Sequence, residues 1–167
     1  MTKALIFGNS GSGKSTLAKR LCKDADLAHL DLDTLAWEPT TPPERKPLAL
    51  SAAAIHAFTS EHSNWVIEGC YADLIAIASP LAEELIFLDI SAEDCIAHAH
   101  ARPWEPHKYP TKEAQDANLE MLVDWIRAYP ERDDSCSRQA HVEMFEAFSG
   151  EKTRITSPSS TLPGEEV

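Results

Sequence analysis

With 167 residues, and roughly 150 residues to a domain, the chain makes about one compact unit, which excludes a multidomain machine. It carries 15 Lys and Arg against 27 Asp and Glu, a net charge of -12, so a partner held by its polyphosphate backbone, such as duplex DNA, is disfavoured. No apolar run approaches the ~20 residues of a bilayer span, and Cys22, Cys70, Cys95 and Cys136 form no C-x-x-C pair; a cytoplasmic protein with reduced thiols is expected, neither a zinc ribbon nor a disulfide scaffold, with the first three cysteines packing in the core.

Short apolar runs alternate with helical stretches, the pattern of a parallel sheet covered on both faces. Met1-Thr2-Lys3 leads directly into the first run, Ala4-Leu5-Ile6-Phe7, which ends at Gly8. A helix follows from Lys14 to Cys22, with Leu17 and Leu21 one turn apart. The second strand, Ala28-His29-Leu30, ends in Asp31-Leu32-Asp33. Pro47 suits the first turn of a second helix whose apolar stripe is Leu48, Ala52, Ile55 and Phe58. Trp65-Val66-Ile67 ends in Glu68-Gly69, and Leu85-Ile86-Phe87-Leu88 ends in Asp89. Ser91 caps a helix that Pro103 must stop; another runs from Thr111 to Tyr129, presenting Leu119, Leu122 and Ile126 on one face; a last one runs from about Ser135 to Ser149. Thr153-Arg154-Ile155-Thr156 is a fifth strand candidate. One domain is expected over residues 1–156, with a helical lid over about 98–138 and a disordered tail over 157–167, where Ser, Pro, Gly and Glu leave little to bury.

Gly8-Asn9-Ser10-Gly11-Ser12-Gly13-Lys14-Ser15, with Thr16 following, matches the phosphate-loop pattern G-x-x-x-x-G-K-[ST] and stands between a strand and an amphipathic helix, where the mechanism needs it. Glycines permit a turn that aims successive N–H groups at a polyphosphate, and the helix N-terminus adds partial positive charge. The pattern assigns Lys14 to the β- and γ-phosphates of ATP and the Ser15 hydroxyl to Mg²⁺. Asp31 and Asp33, one residue apart at a strand end, point the same way. Such a pair supplies one carboxylate for the metal's water and one that accepts a proton from an acceptor hydroxyl, the role taken here for Asp33. The other metal-side acid is Glu68 or Asp89. Glu68 is favoured because Gly69 allows close approach to a ligand, whereas Asp89 precedes a helix cap.

No Lys or Arg occurs between Lys46 and Arg102, while Arg102, Lys108, Lys112, Arg127, Arg132 and Arg138 all fall in the strandless insertion. Cations arriving with a closing lid stabilise a phosphoryl group in flight; Arg102, Arg132 and Arg138 are the candidates. His98 and His100 stand two apart on one helix and face different sides, which argues against a metal site.

The phosphate loop, Asp31-Leu32-Asp33 and Val66-Ile67-Glu68-Gly69 resemble the small P-loop kinases of the adenylate kinase and shikimate kinase type. With His29, Trp37, Cys70-Tyr71 and the run from Leu85 to Asp89, the chain looks still more like the bacterial proteins called topology modulation protein or adenylate kinase-like. The resemblance implies an α/β three-layer P-loop fold, a five-stranded parallel sheet in the order 2-3-1-4-5, and a lid after strand four. It implies Lys14 and Ser15 on phosphate and Mg²⁺, Asp31 or Asp33 toward metal and acceptor, Glu68 as the acid ending strand three, and Thr156-Ser157-Pro158 beside adenine. The pattern departs from shikimate kinases at Glu68-Gly69-Cys70, where those have a glycine triplet, and only Arg45 and Lys46 stand between strands two and three for an anionic acceptor. The expected activity is transfer of the γ-phosphoryl of Mg-ATP to a small molecule by a monomer or homodimer. A nucleotide-driven switch is the rival, and a GTPase is disfavoured by the lack of an N-K-x-D run.

Overall fold

In the computed structural model, which describes residues 2–158, β1 (Lys3–Gly8) feeds α1 (Lys14–Asp24) and the chain returns as β2 (Ala28–Asp31). A single turn, α2 (Asp33–Ala36), leads to a small hairpin of β3 (Trp37–Glu38) and β4 (Glu44–Arg45). Then come α3 (Leu48–Glu61), β5 (Trp65–Gly69), α4 (Ala72–Ala78) and β6 (Glu84–Leu88). Three helices, α5 (Ala92–Ala101), α6 (Lys112–Arg127) and α7 (Arg138–Ala147), precede β7 (Glu151–Ile155). The expected tail lies, from residue 159 on, outside the described residues.

Five strands form one parallel sheet in the order β2-β5-β1-β6-β7. Because β3 and β4 pair only with each other, the order is 2-3-1-4-5 when the strands of this sheet alone are counted. Successive side chains of a strand point to opposite faces. Leu5, Phe7, Trp65, Ile67, Leu85 and Phe87 therefore meet α3, α4 and α7 through Ile55, Leu74, Ile75 and Phe145. Ala4, Ile6, Val66, Ile86 and Leu88 face the other way, onto Leu17, Cys95, Ala99 and Ile126 of α1, α5 and α6. A strand covered on both faces needs an unbroken apolar run, which is what β1, β5 and β6 carry. All five strands end along one edge, with Phe7 opposite both Gly69 and Phe87, and Asp31 opposite Glu68.

Two expectations need correction. Leu48 is 51% exposed and Pro47 stands just outside α3; the sheet-facing row is Ser51, Ile55 and half-buried Phe58, and the Ser51 hydroxyl donates to the Leu35 carbonyl at 2.9 Å. The row repeats every three to four residues, and Leu48, at the first position of the helix, stands at its exposed end. The last helix starts at Arg138, not Ser135, because a turn closed by the Ser137 N–H on the Asp134 carbonyl precedes it and the Ser137 hydroxyl caps the N–H of Ala140. Val142, Met144 and Phe145 of that helix pack on the sheet's core. The caps at Ser91 and Thr111 form, accepting from Asp94 and Ala114. No helix of the described residues is long and apolar enough to cross a membrane.

Candidate active site

Above the strand ends lies a cavity of about 580 Å³, floored by residues 10–16. Gly8 and Asn9 lie beneath it, Asn9 with 1% exposure and its side-chain amide donating to the Ile126 carbonyl at 3.2 Å. Gly11 has a φ of +78°, and a Cβ there would stand 2.4 Å from the Cys95 carbonyl oxygen, so the loop tolerates no side chain where α5 crosses it. Gly13, at φ +98°, occupies the N-cap of α1 with no side-chain cap and no acid in the first turn. The first N–H groups of an 11-residue helix are thus left for an anion in the cavity. Lys14 Nζ donates to the Asn9 carbonyl at 2.7 Å, its ammonium held over the loop. His98, on α5, hydrogen-bonds through Nδ1 to the Gly11 carbonyl at 2.7 Å and lines the cavity. Sequence spacing separated His98 from His100 but gave no sign of this contact across the fold.

Alternation sends Glu68 to the same face as Val66, toward α1, where its Oε1 accepts from the Ser15 hydroxyl at 2.6 Å. Glu68 is 1% exposed, and His29 Nε2 lies 3.2 Å from the same oxygen. Register places Asp31 beside Glu68; burial, and then repulsion from Glu68 and Asp33, raises the Asp31 carboxyl above its ordinary range. Asp33 faces the cavity with both oxygens engaged: Oδ1 accepts from the Tyr71 hydroxyl at 2.5 Å and Oδ2 from Lys108 Nζ at 2.9 Å. Burial pushes its carboxyl up, but Lys108 and Tyr71 outweigh it and hold Asp33 below the usual range. Trp37 Nε1 donates to the Tyr71 hydroxyl at 2.8 Å, continuing the chain of hydrogen bonds outward.

Lys108, in the connection between α5 and α6, is the cation the fold brings to these acids, lying 3.8 Å from Asp31 and 3.6 Å from Glu105 as well. Burial would lower its ammonium, yet Asp33 foremost holds it above its ordinary value. Arg102 also lines the cavity, 3.7 Å from Glu105. Arg132 and Arg138 do not line it. Arg132 lies over the Trp125 ring, 3.6 Å from its centroid, and donates to Asp134 and to the Cys136 carbonyl. Arg138 forms a two-pronged pair with Asp89, whose Oδ2 also accepts from Arg154. These guanidiniums, against an opposing effect of burial, lower the Asp89 carboxyl. Asp89 is therefore occupied as a structural ion pair, while Glu68 stands beside Ser15. Arg45, one of the two cations between the second and third sheet strands, is likewise held: it stacks 4.9 Å above the Tyr71 ring and pairs with Asp73 at 3.0 Å.

The donor set around Ser15 is hard oxygen, the chemistry Mg²⁺ takes, and among the described residues no three His, Cys, Asp or Glu side chains group to hold an ion by themselves. Mg²⁺ in nucleotide sites commonly has one or two protein ligands and completes its shell with phosphate and water, so the residues present fit such an ion.

No protein-family model matches the chain, and no curated protein sequence matches it. Among solved structures, a deoxyadenosine kinase from M. mycoides with bound dATP superposes with a TM-score of 0.50 at 13% sequence identity, covering 93% of this chain and 91% of that one. The likeness is one of fold: this chain has the α/β architecture of a P-loop kinase.

Proposed function

We propose that the chain is an ATP-dependent phosphotransferase that moves the γ-phosphoryl of Mg-ATP to a hydroxyl of a small molecule. The observation that carries this reading is a single cavity with an uncapped, glycine-turned helix N-terminus and Lys14 on one side and an ionised carboxylate, Asp33, on the other. A nucleoside kinase of the same fold supports it further. The triphosphate takes the first-turn N–H groups of α1, and Lys14 exchanges the Asn9 carbonyl for β- and γ-phosphate oxygens. Ser15, with Glu68 and Asp31 behind it, would hold Mg²⁺, which when bound supplies charge neutralisation between the phosphates.

The acceptor hydroxyl then replaces Lys108 at Oδ2 of Asp33, which orients it and takes its proton as transfer proceeds. Lys108, released, joins Arg102 at the phosphoryl oxygens. Its departure also removes the largest influence holding Asp33 down, so the carboxylate becomes more basic when a base is wanted. Tyr71 keeps Oδ1 fixed throughout. Arg132 and Arg138 support the walls through their pairs with Asp134 and Asp89. A cytoplasmic protein acting on a soluble metabolite, as monomer or homodimer, completes the proposal.

Calorimetry with Mg-ATP, followed by ADP release with and without a pool of small hydroxyl metabolites, tests it. A heat of binding and ADP release well above the water-only rate are expected. No heat removes the nucleotide site; binding without acceleration by any acceptor returns the rival reading, a switch that closes on ATP.

A further inference from the structure

Phosphoryl transfer as proposed makes no use of two thiols that the fold brings together. Cys70 follows Gly69 at the end of β5 and lines the cavity; Cys136 lies in the connection between α6 and α7, 66 residues away in the chain. Their sulfurs are 3.7 Å apart, with the Cys70 S–H donating toward Cys136. Both backbones are anchored. The Cys70 carbonyl accepts from His141 Nε2 at 2.7 Å. The Cys136 N–H donates to Asp134 Oδ1 at 2.9 Å, and its carbonyl accepts from Arg132 at 2.9 Å. Cys136 is 5% exposed, so the cavity that Cys70 lines is the approach for a small reagent. The other two thiols are placed differently: Cys95 is buried on the sheet-facing side of α5 with its S–H toward the Ile90 carbonyl, and Cys22 sits on the far part of α1.

We propose that Cys70 and Cys136 form a modification site, a dithiol that a peroxide oxidises to a reversible disulfide fastening the end of β5 to the α6–α7 connection. Cys136 gives up its proton as its sulfur attacks one peroxide oxygen; the O–O bond breaks, the departing hydroxide leaves with that proton as water, and Cys136 becomes a sulfenic acid. Cys70 then gives up its proton as its sulfur attacks that of Cys136. The S–S bond forms, the S–O bond breaks, and the departing hydroxide leaves with that proton as a second water. Two thiols are oxidised and one peroxide is reduced. The sulfurs must close from 3.7 Å to a bond of ~2.0 Å.

The test treats the full-length chain with hydrogen peroxide, quenches with an alkylating agent, unfolds it, and maps the peptides by mass. The expected product is a Cys70–Cys136 cross-linked peptide, lighter by two hydrogens and restored by dithiothreitol, formed at least ~10-fold faster than oxidation of Cys22 or Cys95. Unfolding in urea before peroxide should erase that preference. Cys70→Ser should lose the cross-link and leave Cys136 trappable as sulfenic acid, and the folded state of that variant is checked by its far-ultraviolet spectrum. Equal oxidation of all four thiols, or sulfinic acid at Cys70 in the native chain without any cross-linked peptide, would overturn the proposal. None of these readouts depends on kinase activity.

Discussion

On one side of the cavity the loop from Gly8 to Ser15 works through its main chain: positive-φ glycines, an uncapped helix end, and a carbonyl that parks Lys14. On the other side Lys108 meets Asp31, Asp33 and Glu105 through side chains, across 75 residues of sequence in the case of Asp33. A wall made of backbone is fixed by the fold and can bind before anything moves. A wall made of ion pairs between partly exposed groups holds one arrangement weakly, since such pairs contribute roughly 0–1 kcal/mol each, and can exchange partners when a stronger charge arrives. On the proposed function, nucleotide capture belongs to the first wall and the commitment to an acceptor to the second.

The sharpest way to break this division is Lys14→Ala. The side chain makes one hydrogen bond to the protein, so the fold should survive, while a cation facing a triphosphate is lost. ATP affinity should fall by ~10³-fold, about 4 kcal/mol, read by calorimetry beside an unchanged circular dichroism spectrum. Affinity within a few fold of the native chain would mean that the loop does not grip phosphate.

Asp33→Asn tests the other wall. The amide keeps its place next to Tyr71 but cannot take a proton and no longer attracts Lys108. Turnover should drop by about 10²–10³-fold, with ATP affinity changed by less than about threefold. A loss of binding comparable to the loss of turnover would show that the two walls are not separable.

The same contrast explains what could be read from the amino-acid order. A phosphate loop needs glycine where φ is positive and a cation at one spacing, so Gly11, Gly13 and Lys14 announce themselves in sequence. The apolar runs of β1, β5 and β6 do likewise, because both faces of those strands are covered. Asp31 and Glu68 could be placed at strand ends, but their adjacency is a matter of register. Lys108 stood among six cations of one insertion with nothing to distinguish it, and the arginine's suitability for phosphate drew attention to Arg132 and Arg138. Their partners, Trp125 and Asp134 for one and Asp89 for the other, are set by how α6 and α7 pack. Ser51 and His141 show the same limit from the other direction: polar residues on core faces, legible only once the carbonyls they reach are in place.

His141 offers the gentlest perturbation, acting beneath both walls rather than on either. It is fully buried on α7. Its Nδ1 lies 2.6 Å from the Tyr129 hydroxyl and its Nε2 lies 2.7 Å from the carbonyl of Cys70, at the end of β5. With that carbonyl only able to accept, Nε2 carries the proton and Nδ1 accepts from Tyr129. Burial foremost brings its pKa down to about 4, against 6.5 for an ordinary imidazole. The unfolded chain therefore takes up the proton first as pH falls, so this contribution is complete above pH ~6.5 and is lost progressively toward pH ~4. Between pH 7 and pH 5 it should cost about 2 kcal/mol of folding stability, read from urea midpoints at the two pH values. His141→Gln has no imidazole to protonate; its stability at pH 7 will be lower, but its loss between pH 7 and pH 5 should be smaller than the native chain's by that amount. If both lose stability equally, the buried ring does not set the acid limit, and the seam joining α7 to β5 owes its hold to the apolar contacts of Phe7 and Phe87 against the His141 ring rather than to the ring's two hydrogen bonds.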